Sequence, residues 1–195
     1  MKKVFKKINA CRICNGKNLI NIIDLKKQYI QGSFEKGNYP QTVKTKIPLQ
    51  LVICKKCSLV QTKHTVSPDA LYENYWYKSG VNFTMTNHLL KLARESKKIL
   101  KNKNKKVKIL DIGCNDGTLL RSFPKTFIKV GIDPSQIAKK LKSENLTIIN
   151  DFFPSKKILL KHKNNKFDLI TSIAMFYDIQ DPTSFVNNIK NILDE

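Results

Sequence analysis

Residues 109–123 read ILDIGCNDGTLLRSF, and this stretch decides the fold. It starts as an apolar run typical of a buried strand, turns at Gly113 and continues into the start of a helix. Gly113 and Gly117 would let a ligand approach the backbone at the carboxyl end of that strand. Their G-x-x-x-G spacing differs from the G-x-G-x-x-G of dinucleotide-binding proteins. Asp111 and Asp116 would repel a pyrophosphate, so the stretch predicts a site for a cationic ligand.

The alternation of strand and helix continues to the end of the sequence. The predicted strands are VKILDI, FIKVGID, LTIIN and FDLITSIAMF, and the predicted helices are DGTLLRSF, PSQIAKKLKSE and DPTSFVNNIKNILD. Pro134 is expected at the first position of the second helix, and Asp181 and Pro182 are expected to start the third. This alternation is typical of parallel strands joined by right-handed crossovers. The predicted fold is therefore α/β, with a Rossmann-like sheet.

Acidic residues follow the predicted strands in an order that narrows the choice of ligand. Asp133 ends the second strand about 20 residues after Asp111, the separation at which an acid accepts hydrogen bonds from ribose hydroxyls. After the third strand, Asp151 is placed to bind an adenine amino group and Phe152 to cover its face. Because a single strand-end aspartate is as often a helix cap, only the ordered set carries weight. A ligand with a ribose and a positive charge but no phosphates is S-adenosylmethionine.

Two cysteine pairs near the start of the sequence predict a metal site. Cys11 and Cys14 form one C-x-x-C pair, and Cys54 and Cys57 form the second. A two-residue spacer lets both thiolates of one turn point at one ion, and four thiolates fill the tetrahedral coordination sphere of Zn²⁺. No coordination position stays open for water or substrate, so the predicted role is structural. Gly16 is expected to relieve the tight turn of the first pair.

The surroundings of the cysteines leave alternatives open. The second pair lies between the apolar runs LQLVI and SLVQT, which predicts that CKKC forms the tip of a hairpin. Redox dithiols and disulfides are the alternatives to zinc, and neither pair lies in a thioredoxin-like βαβ pattern. The fifth cysteine, Cys114, is expected to be a small packed residue, with a nucleophilic role as its alternative.

The cysteine pairs and the predicted strands and helices divide the sequence into three segments. Residues 1–66 form the predicted zinc-binding module, residues 67–105 an aromatic segment and linking helix, and residues 106–195 the Rossmann-like domain. Residues 31–48 are rich in turn formers and predict a loop, and residues 101–108 predict a charged linker. Five positions at helical spacing predict the linking helix. They are Met85, Leu89, Leu92, Ser96 and Ile99.

The charge and hydropathy of the chain limit its partners. The formal net charge of +21 favours a polyanion partner, but all basic residues except Arg12, Arg94 and Arg121 are lysines spread along the sequence. Nucleic-acid base readers favour arginine, so a solvated lysine coat is the preferred interpretation. No apolar run reaches the roughly 18 residues of a membrane span, and no signal peptide is recognisable. A cytoplasmic protein without a membrane partner is expected, with His64 and His162 at its surface.

The ordered motifs resemble those of S-adenosylmethionine-dependent sugar C-methyltransferases with an N-terminal zinc-binding domain. The resemblance covers nearly the whole chain. It includes the two C-x-x-C pairs, YPQTVKTKIPLQLVICKKCSLVQ, LYENYWYKSG, DIGCNDGTLL, GIDPS and NDFF. It implies an N-terminal four-cysteine zinc module followed by the parallel sheet of a class I methyltransferase. Through the matching motifs it also assigns Asn115 and Pro134 to the cofactor site.

The implied reaction is C-methylation of a nucleotide-linked keto-deoxysugar, by removal of a proton beside a carbonyl and attack of the enolate carbon on the methyl group. The resemblance places Tyr75, Tyr77, Ser79, Tyr177 and Asp178 at the substrate site, and four of them (all but Ser79) are the predicted catalytic residues. Some family members have a histidine after the fourth strand, where this sequence reads SIAMFYDIQDP. The resemblance therefore does not identify the general base.

The resembled fold has seven strands and a further C-terminal domain, whereas four strands are predicted before Glu195. The chain is therefore expected to be a fragment or a shortened gene product, with S-adenosylmethionine binding easier to observe than turnover. A monomer or weak homo-oligomer is expected. Two other classes remain as alternatives: a zinc-ribbon nucleic-acid methyltransferase, and a non-catalytic zinc-ribbon protein that binds nucleic acid through its lysines.

Overall fold

The computed structural model describes residues 4–30, 45–72, 75–100 and 106–194. Its contacts divide the chain into two units. One comprises the residues up to Tyr75 together with 178–183, and the other comprises Trp76–Tyr177 and the residues from Ser184 onward. Most of the predicted loop at 31–48 and of the predicted linker at 101–108 lies outside the described residues. Among the described residues, no helix combines the length and apolarity needed to cross a bilayer.

The first unit is built from short antiparallel pairings. Its elements are β1 (Phe5–Lys7), β2 (Leu19–Tyr29), β3 (Lys46–Cys54), β4 (Val60–Thr62), β5 (His64–Val66) and α1 (Pro68–Tyr72). Strand β1 pairs with β5, and the other strands form a sheet in the order β2-β3-β4. Cys54 ends β3, and the following turn leads to β4, so the predicted hairpin with CKKC at its tip is confirmed.

The second unit contains a parallel four-stranded sheet. Its elements are a 3-10 helix (Ser79–Val81), α2 (Phe83–Ile99), β6 (Lys108–Ile112), α3 (Thr118–Ser122), β7 (Ile128–Ile132), α4 (Gln136–Lys139), β8 (Thr147–Ile149), α5 (Lys156–His162), β9 (Leu169–Ser172) and all but the first two residues of α6 (Pro182–Ile192). The strand order is β8-β7-β6-β9, with all pairings parallel. The predicted Rossmann-like alternation is confirmed. Because β6 lies between β7 and β9, the loops that follow these strands meet at one edge of the sheet.

Helix α2 covers the sheet with a slightly different face from the predicted one. Leu89 and Ala93 are buried, and the core they join includes Ile109, Leu119 and Leu120. Ile99, expected in the apolar stripe, is 84% exposed, and Leu100 is buried instead. Leu100 is the C-cap residue of the helix, and its N–H donates to the Ser96 carbonyl. The buried side chain at this end of the helix therefore lies one position later in the sequence than predicted.

Helix α4 is much shorter than the sequence pattern predicts. Ser135 is its N-cap and accepts a hydrogen bond from the Ala138 N–H, so Pro134 precedes the cap instead of opening the helix. The helix ends at Lys139, and Leu141 then packs beside Gly117, 3.6 Å from the position a Cβ would take there. Packing of one leucine thus outweighs the helical propensity of the lysine-rich sequence that follows.

The amino-terminal edge of the parallel sheet buries a lysine and a histidine. His162 is 4% exposed and Lys108 is 5% exposed, so the prediction that His162 lies at the surface is wrong. Lys108 Nζ lies 2.6 Å from His162 Nδ1 and 4.4 Å from the centre of the Phe167 ring. Burial lowers the pKa of both groups, the charge of Lys161 lowers the pKa of Lys108 further, and the charge of Lys108 lowers the pKa of His162 further.

Candidate functional site

The four cysteines of the first unit converge on one point. All four Sγ atoms lie within 4.8 Å of one another, with Cys11 and Cys57 separated by 3.6 Å and Cys14 and Cys54 by 3.5 Å. Four thiolates around one zinc ion at a Zn–S distance of about 2.3 Å would lie about 3.8 Å apart. Sulfurs bonded as disulfides would be about 2.05 Å apart. The donor set and its spacing therefore fit a zinc ion.

Both cysteine pairs sit in turns of the same backbone design. The Cys11 N–H donates to the Gly16 carbonyl, and the Asn15 N–H donates to the Cys11 carbonyl. In the second turn the Cys54 N–H donates to the Leu59 carbonyl and the Ser58 N–H to the Cys54 carbonyl. Two related turns thus present one cysteine pair each to the same ion.

The left-handed residue of the first turn is not the glycine. Asn15 has a φ of 57° and Ser58, its counterpart in the second turn, has a φ of 60°. Gly16 is needed for space, because a Cβ at this position would lie 3.1 Å from Cys54 Sγ and 3.3 Å from Cys14 Sγ. The expectation that Gly16 relieves the turn is thus corrected: close approach of the sulfurs requires the glycine.

A glutamine and an arginine support the cysteine cluster. Gln61 is 8% exposed, and its Nε2 donates to Cys11 Sγ at 3.2 Å. The Arg12 N–H and guanidinium both donate to Gln61 Oε1 at 3.1 Å, which fixes the orientation of the amide. The guanidinium is held in turn by the Thr62 carbonyl and the Thr65 hydroxyl. Burial raises the pKa of Cys11, but backbone N–H groups, Gln61 and Cys57 outweigh it and lower the pKa to about 6.

In the second unit, residues 113–117 form the loop at the carboxyl edge of β6, called here the cofactor loop. Gly113 has a φ of 76°, Asn115 of 51° and Gly117 of 75°. A Cβ on Gly113 would lie 3.2 Å from Met175 Sδ, whereas a Cβ on Gly117 would lie 3.2 Å from Arg121 and 3.3 Å from Leu146. Gly117 therefore faces packed side chains and serves the turn before α3, and Gly113 alone of the two faces the segment after β9.

Asp111 lies buried at the end of β6. Its Oδ1 accepts a hydrogen bond from Thr171 Oγ1 at 2.7 Å, and Thr171 stands opposite it in the register of β9. Burial raises the pKa of Asp111 to about 7, Thr171 opposes this, and the nearby charge of Asp133 adds to it. A buried carboxyl group beside a second acid is stabilised in its charged form by a cationic ligand.

Asp133 organises the end of the neighbouring strand. Its Oδ2 accepts from the Asn115 N–H at 2.9 Å and its Oδ1 from the Ser135 N–H at 2.8 Å. A carboxylate has about four acceptor positions, so two remain for ligand hydroxyls. Asn150 crosses from the end of β8 and donates to the Asp133 and Ser135 carbonyls. Pro134, predicted at the cofactor site, is half-buried between them.

Asp151 and Phe152 follow β8 at the same edge of the sheet. Asp151 Oδ1 accepts from the Phe152 N–H and Oδ2 from Ser155 Oγ, both at 2.8 Å. These contacts order the loop after β8 and leave one acceptor position on each oxygen. Both side chains are half-buried. Their roles toward adenine stay predictions.

Asn115 and Asp116 bind another part of the chain. Asn115 Oδ1 accepts from the Ser79 N–H at 3.0 Å, and its Nδ2 donates to the Tyr77 carbonyl at 2.8 Å. Asp116 Oδ2 accepts from the Gly80 N–H at 2.8 Å. Both were predicted as cofactor-binding residues. The Asn115 amide is thus bonded to residues 77–79, whereas Asp116 also accepts from the Thr118 N–H and hydroxyl, and the cofactor-binding roles of both stay predictions.

The predicted catalytic residues fall into two groups. In the first unit, Tyr72 donates from its hydroxyl to Asp178 Oδ2 and contacts the Tyr75 ring edge-on at 6.1 Å. Burial raises the pKa of Asp178, and the Tyr72 hydroxyl opposes this. In the second unit, Tyr77 is half-buried and Tyr177 is 69% exposed. The catalytic roles of Tyr75, Tyr77, Tyr177 and Asp178 stay predictions.

Comparison with protein families adds an independent observation. Residues 11–72 match the family described as "Putative zinc binding domain", which includes all four cysteines. Residues 85–195, more than half of the chain, match the family described as "Methyltransferase domain". The chain belongs to the methyltransferase domain family. The cysteine cluster and the two family matches confirm the predicted cofactors, S-adenosylmethionine and structural zinc.

Curated relatives of this chain are named for different acceptor atoms, carbon in one case and oxygen in the other. The C-methyltransferase NovU of Streptomyces niveus is 23% identical over 137 residues, which is 70% of this chain and 32% of NovU. The ubiquinone biosynthesis O-methyltransferase of Pasteurella multocida (strain Pm70) is 32% identical over 100 residues, covering 44% of this chain and 41% of that protein. The chain thus matches less than half the length of either relative.

Solved structures of methyltransferases are also similar. The plantazolicin methyltransferase BpumL, in complex with a triazolic desmethylPZN analogue and SAH, is 24% identical, with 60% of this chain and 46% of that chain covered and a TM-score of 0.45.

Sequence reasoning missed several residues of these methyltransferase and zinc sites. The missed residues are Gln61, Tyr72, Asn150, Thr171 and Met175. Gln61 and Tyr72 were within reach, because each lies inside a motif already singled out. Thr171 was also accessible in principle, since it stands in the fourth strand at the register position opposite Asp111. Asn150 and Met175 also lie inside quoted stretches, NDFF and SIAMFYDIQDP, but their contacts depend on loop geometry, which the sequence pattern does not indicate.

Proposed function

We propose that this protein transfers the methyl group of S-adenosylmethionine to a carbon atom of a nucleotide-linked keto-deoxysugar. The observation that carries the methyl-transfer part is the pair of acids at the carboxyl edge of the sheet, Asp111 and Asp133, beside a cofactor loop with left-handed residues. This edge offers a charge partner for a cation and acceptors for ribose hydroxyls.

The choice of a carbon acceptor has separate support. The match to the C-methyltransferase NovU runs over 137 residues, which is longer than the methyltransferase domain at 85–195, whereas the O-methyltransferase match runs over 100 residues. The sugar acceptor follows from the resemblance of the whole ordered motif set, including the zinc module and the LYENYWYKSG segment. Both points support the proposal through the similarity of this chain to other proteins.

Bound S-adenosylmethionine would supply an electrophilic methyl group on a sulfonium. The chain must then hold the donor, orient the acceptor and remove a proton from the carbon beside the acceptor carbonyl. Asp111 and Asp133 would hold the donor. Asp178 is the proposed base: its pKa is raised by burial, and Tyr72 fixes the carboxylate through its hydroxyl. The proton would pass from the acceptor carbon to the Asp178 carboxylate, and the electron pair left on the acceptor as an enolate would form the new C–C bond to the methyl group, with the donor's thioether as the leaving group.

Asp178→Asn tests this assignment in two assays. The first follows methyl transfer from methyl-labelled donor to a panel of keto-deoxysugar nucleotides, phenols and DNA or RNA oligonucleotides. The second follows deuterium uptake from solvent at the carbon beside the sugar carbonyl, which needs the base but no methyl transfer. We expect labelling of sugar nucleotides alone, at carbon, with exchange lost in Asp178→Asn and retained in the exposed-acid control Asp69→Asn. Labelling of phenol oxygens or of nucleic acid would contradict the proposed acceptor.

A further inference from the structure

The segment Trp76–Gly80, called here the aromatic strap, is fastened to the cofactor loop by side chains. Asn115 makes two of the bonds, accepting from the Ser79 N–H at 3.0 Å and donating to the Tyr77 carbonyl at 2.8 Å. These bonds join residues 36 and 38 positions apart in the chain. An amide that accepts and donates to one short segment fixes both its position and its direction.

Asp116 makes the next bond, and here the strap has no room for a side chain. The Gly80 N–H donates to Asp116 Oδ2 at 2.8 Å, while Asp116 Oδ1 accepts from the Thr118 hydroxyl at 2.6 Å. A Cβ on Gly80 would lie 2.9 Å from Asp116 Oδ2 and 2.8 Å from Thr118 Oγ1. Contacts below 3.0 Å do not occur for Cβ atoms without displacement, so a side chain at this position would shift either the strap or the Asp116 and Thr118 side chains that hold it.

Asn115 of the cofactor loop also contacts Asp133, the acid predicted to bind the donor. Asn115 is held at a φ of 51°, and its N–H donates to Asp133 Oδ2 at 2.9 Å. A continuous hydrogen-bonded path thus runs from Asp133 through Asn115 to Tyr77 and Ser79. Hydroxyl groups that bind Asp133 act on the residue that fastens the strap.

We propose that Asn115 and Asp116 are positioning residues that hold the aromatic strap on the cofactor loop, so that donor binding and the placement of Tyr77 and Ser79 are coupled. The inference rests on the proposed function, since it takes S-adenosylmethionine as the ligand of the loop. It assigns to Asn115 and Asp116 a different role from direct contact with the cofactor. Donor binding then strengthens the attachment of the strap on which Tyr77 and Ser79 lie.

The only tryptophan of the chain reports on the strap. Trp76 is half-exposed, and its ring contacts that of Tyr77 edge-on at 6.1 Å. A change in the position or mobility of the strap therefore changes tryptophan emission and its accessibility to a soluble quencher. The reporter needs no label and no catalytic turnover.

The test titrates S-adenosylhomocysteine into the zinc-loaded chain and records tryptophan emission, acrylamide quenching and the dissociation rate. Asn115→Gly removes both strap bonds and keeps a residue suited to positive φ, and Gly80→Ala inserts the excluded Cβ. Lys78→Ala is the matched control, because this exposed side chain lies in the same strap. We expect ligand to reduce quenching about twofold in the wild type and Lys78→Ala. In Asn115→Gly and Gly80→Ala we expect S-adenosylhomocysteine to dissociate about tenfold faster, and we expect no change in tryptophan emission when it binds.

Three outcomes would overturn the inference. Wild-type affinity and emission change in both Asn115→Gly and Gly80→Ala would show that the strap is not coupled to the donor. Unchanged acrylamide quenching on saturation of the wild type would show the same without any variant, and so covers the case of a variant that fails to fold. Absence of ligand binding by the folded wild type would instead overturn the proposed function, and the inference with it. Calorimetry detects ligand binding independently of Trp76.

Discussion

At the scale of single residues, the account rests on groups whose surroundings change their chemistry. Asp111 is buried, and its pKa of about 7 places its charge change near neutral pH. Cys114, by contrast, has its pKa raised first by burial and then by the acids at positions 111 and 133, so it stays a protonated, packed thiol. Gly131 leaves the room for it, since a Cβ there would lie 2.6 Å from Cys114 Sγ. The expectation of a packed cysteine agrees with this burial.

Affinity for S-adenosylmethionine should depend on the ionisation of Asp111. The folded carboxyl titrates near pH 7, so at pH 6 most of it carries a proton that a cationic ligand must displace. We expect the dissociation constant to rise about tenfold from pH 8 to pH 6. In Asp111→Asn it should be high at both values, with a ratio near one. Calorimetry at the two pH values measures this, and an equal pH dependence in wild type and Asp111→Asn would contradict the role given to the carboxylate.

Gln61 should control how firmly the cysteine cluster holds zinc. Its Nε2 donates to Cys11 Sγ, and loss of such outer-shell contacts typically lowers metal affinity 10- to 100-fold. We expect Gln61→Leu to release zinc on the order of tenfold faster to a chromogenic chelator. Val60→Thr, a change in the neighbouring exposed residue of β4, should behave as the wild type. Equal release rates for Gln61→Leu and Val60→Thr would show that the amide does not support the site.

At the scale of elements, the amino-terminal end of β6 carries a buried lysine–histidine pair. Lys108 begins the strand, and His162 ends α5 beside it. The histidine is stabilised as the neutral form, because burial and the lysine charge both lower its pKa. The unfolded chain therefore binds more protons than the folded chain once the pH falls below about 6.5.

The free energy of unfolding should consequently fall as the pH is lowered from 7.5 to 5.5. The slope that His162 contributes has an upper limit of about 1.4 kcal/mol per pH unit. His162→Gln should remove this contribution, whereas His88→Gln, a change at an exposed histidine, should not. Urea unfolding at both pH values, compared between the two variants, isolates the effect. The same slope in His162→Gln and wild type would refute the assignment to this pair.

Elements that are determined by neighbouring residues could be predicted from the sequence, whereas elements that depend on distant contacts could not. The strands and the hairpin at Cys54 were predictable, because apolar runs and cysteine spacing act within a few residues. The short length of α4 was not, because Leu141 leaves the helix to pack near Gly117 in another loop. The fastening of the aromatic strap was also out of reach, since Asn115 and Ser79 are 36 residues apart in the chain. Local patterns thus predict elements, and tertiary contacts assign the side chains.

At the scale of the whole molecule, the two units hold different chemistry. All four zinc ligands lie in the first unit, whereas the predicted cofactor residues, from Asp111 to Phe152, lie in the second. The second unit has its own hydrophobic core, formed by residues of α2, β6 and α3 among others. Among the described residues of the first unit, the buried apolar side chains are Cys11, Ile30, Val52 and Cys54, so zinc is expected to supply much of its stability.

Removal of zinc should therefore unfold one unit and spare the other. With a zinc-selective chelator and reductant present, we expect loss of the thermal transition of the first unit. The dissociation constant for S-adenosylhomocysteine should change less than about twofold, since none of its predicted contacts lies in the first unit. Calorimetry before and after chelation, with zinc added back as the control, tests this. Loss of ligand binding on chelation, restored by zinc, would contradict it.

The central claim is that the carboxyl edge of the parallel sheet binds S-adenosylmethionine. The most direct measurement is a calorimetric titration of S-adenosylmethionine and S-adenosylhomocysteine into the folded, zinc-loaded chain. Asp133→Ala serves as the site variant, and Glu144→Gln, an exposed acid before β8 at the opposite edge, as the control. The account predicts saturable binding of both ligands at one site, abolished by Asp133→Ala and unchanged in Glu144→Gln. Absence of binding by the folded wild type, or equal binding by Asp133→Ala, would contradict it.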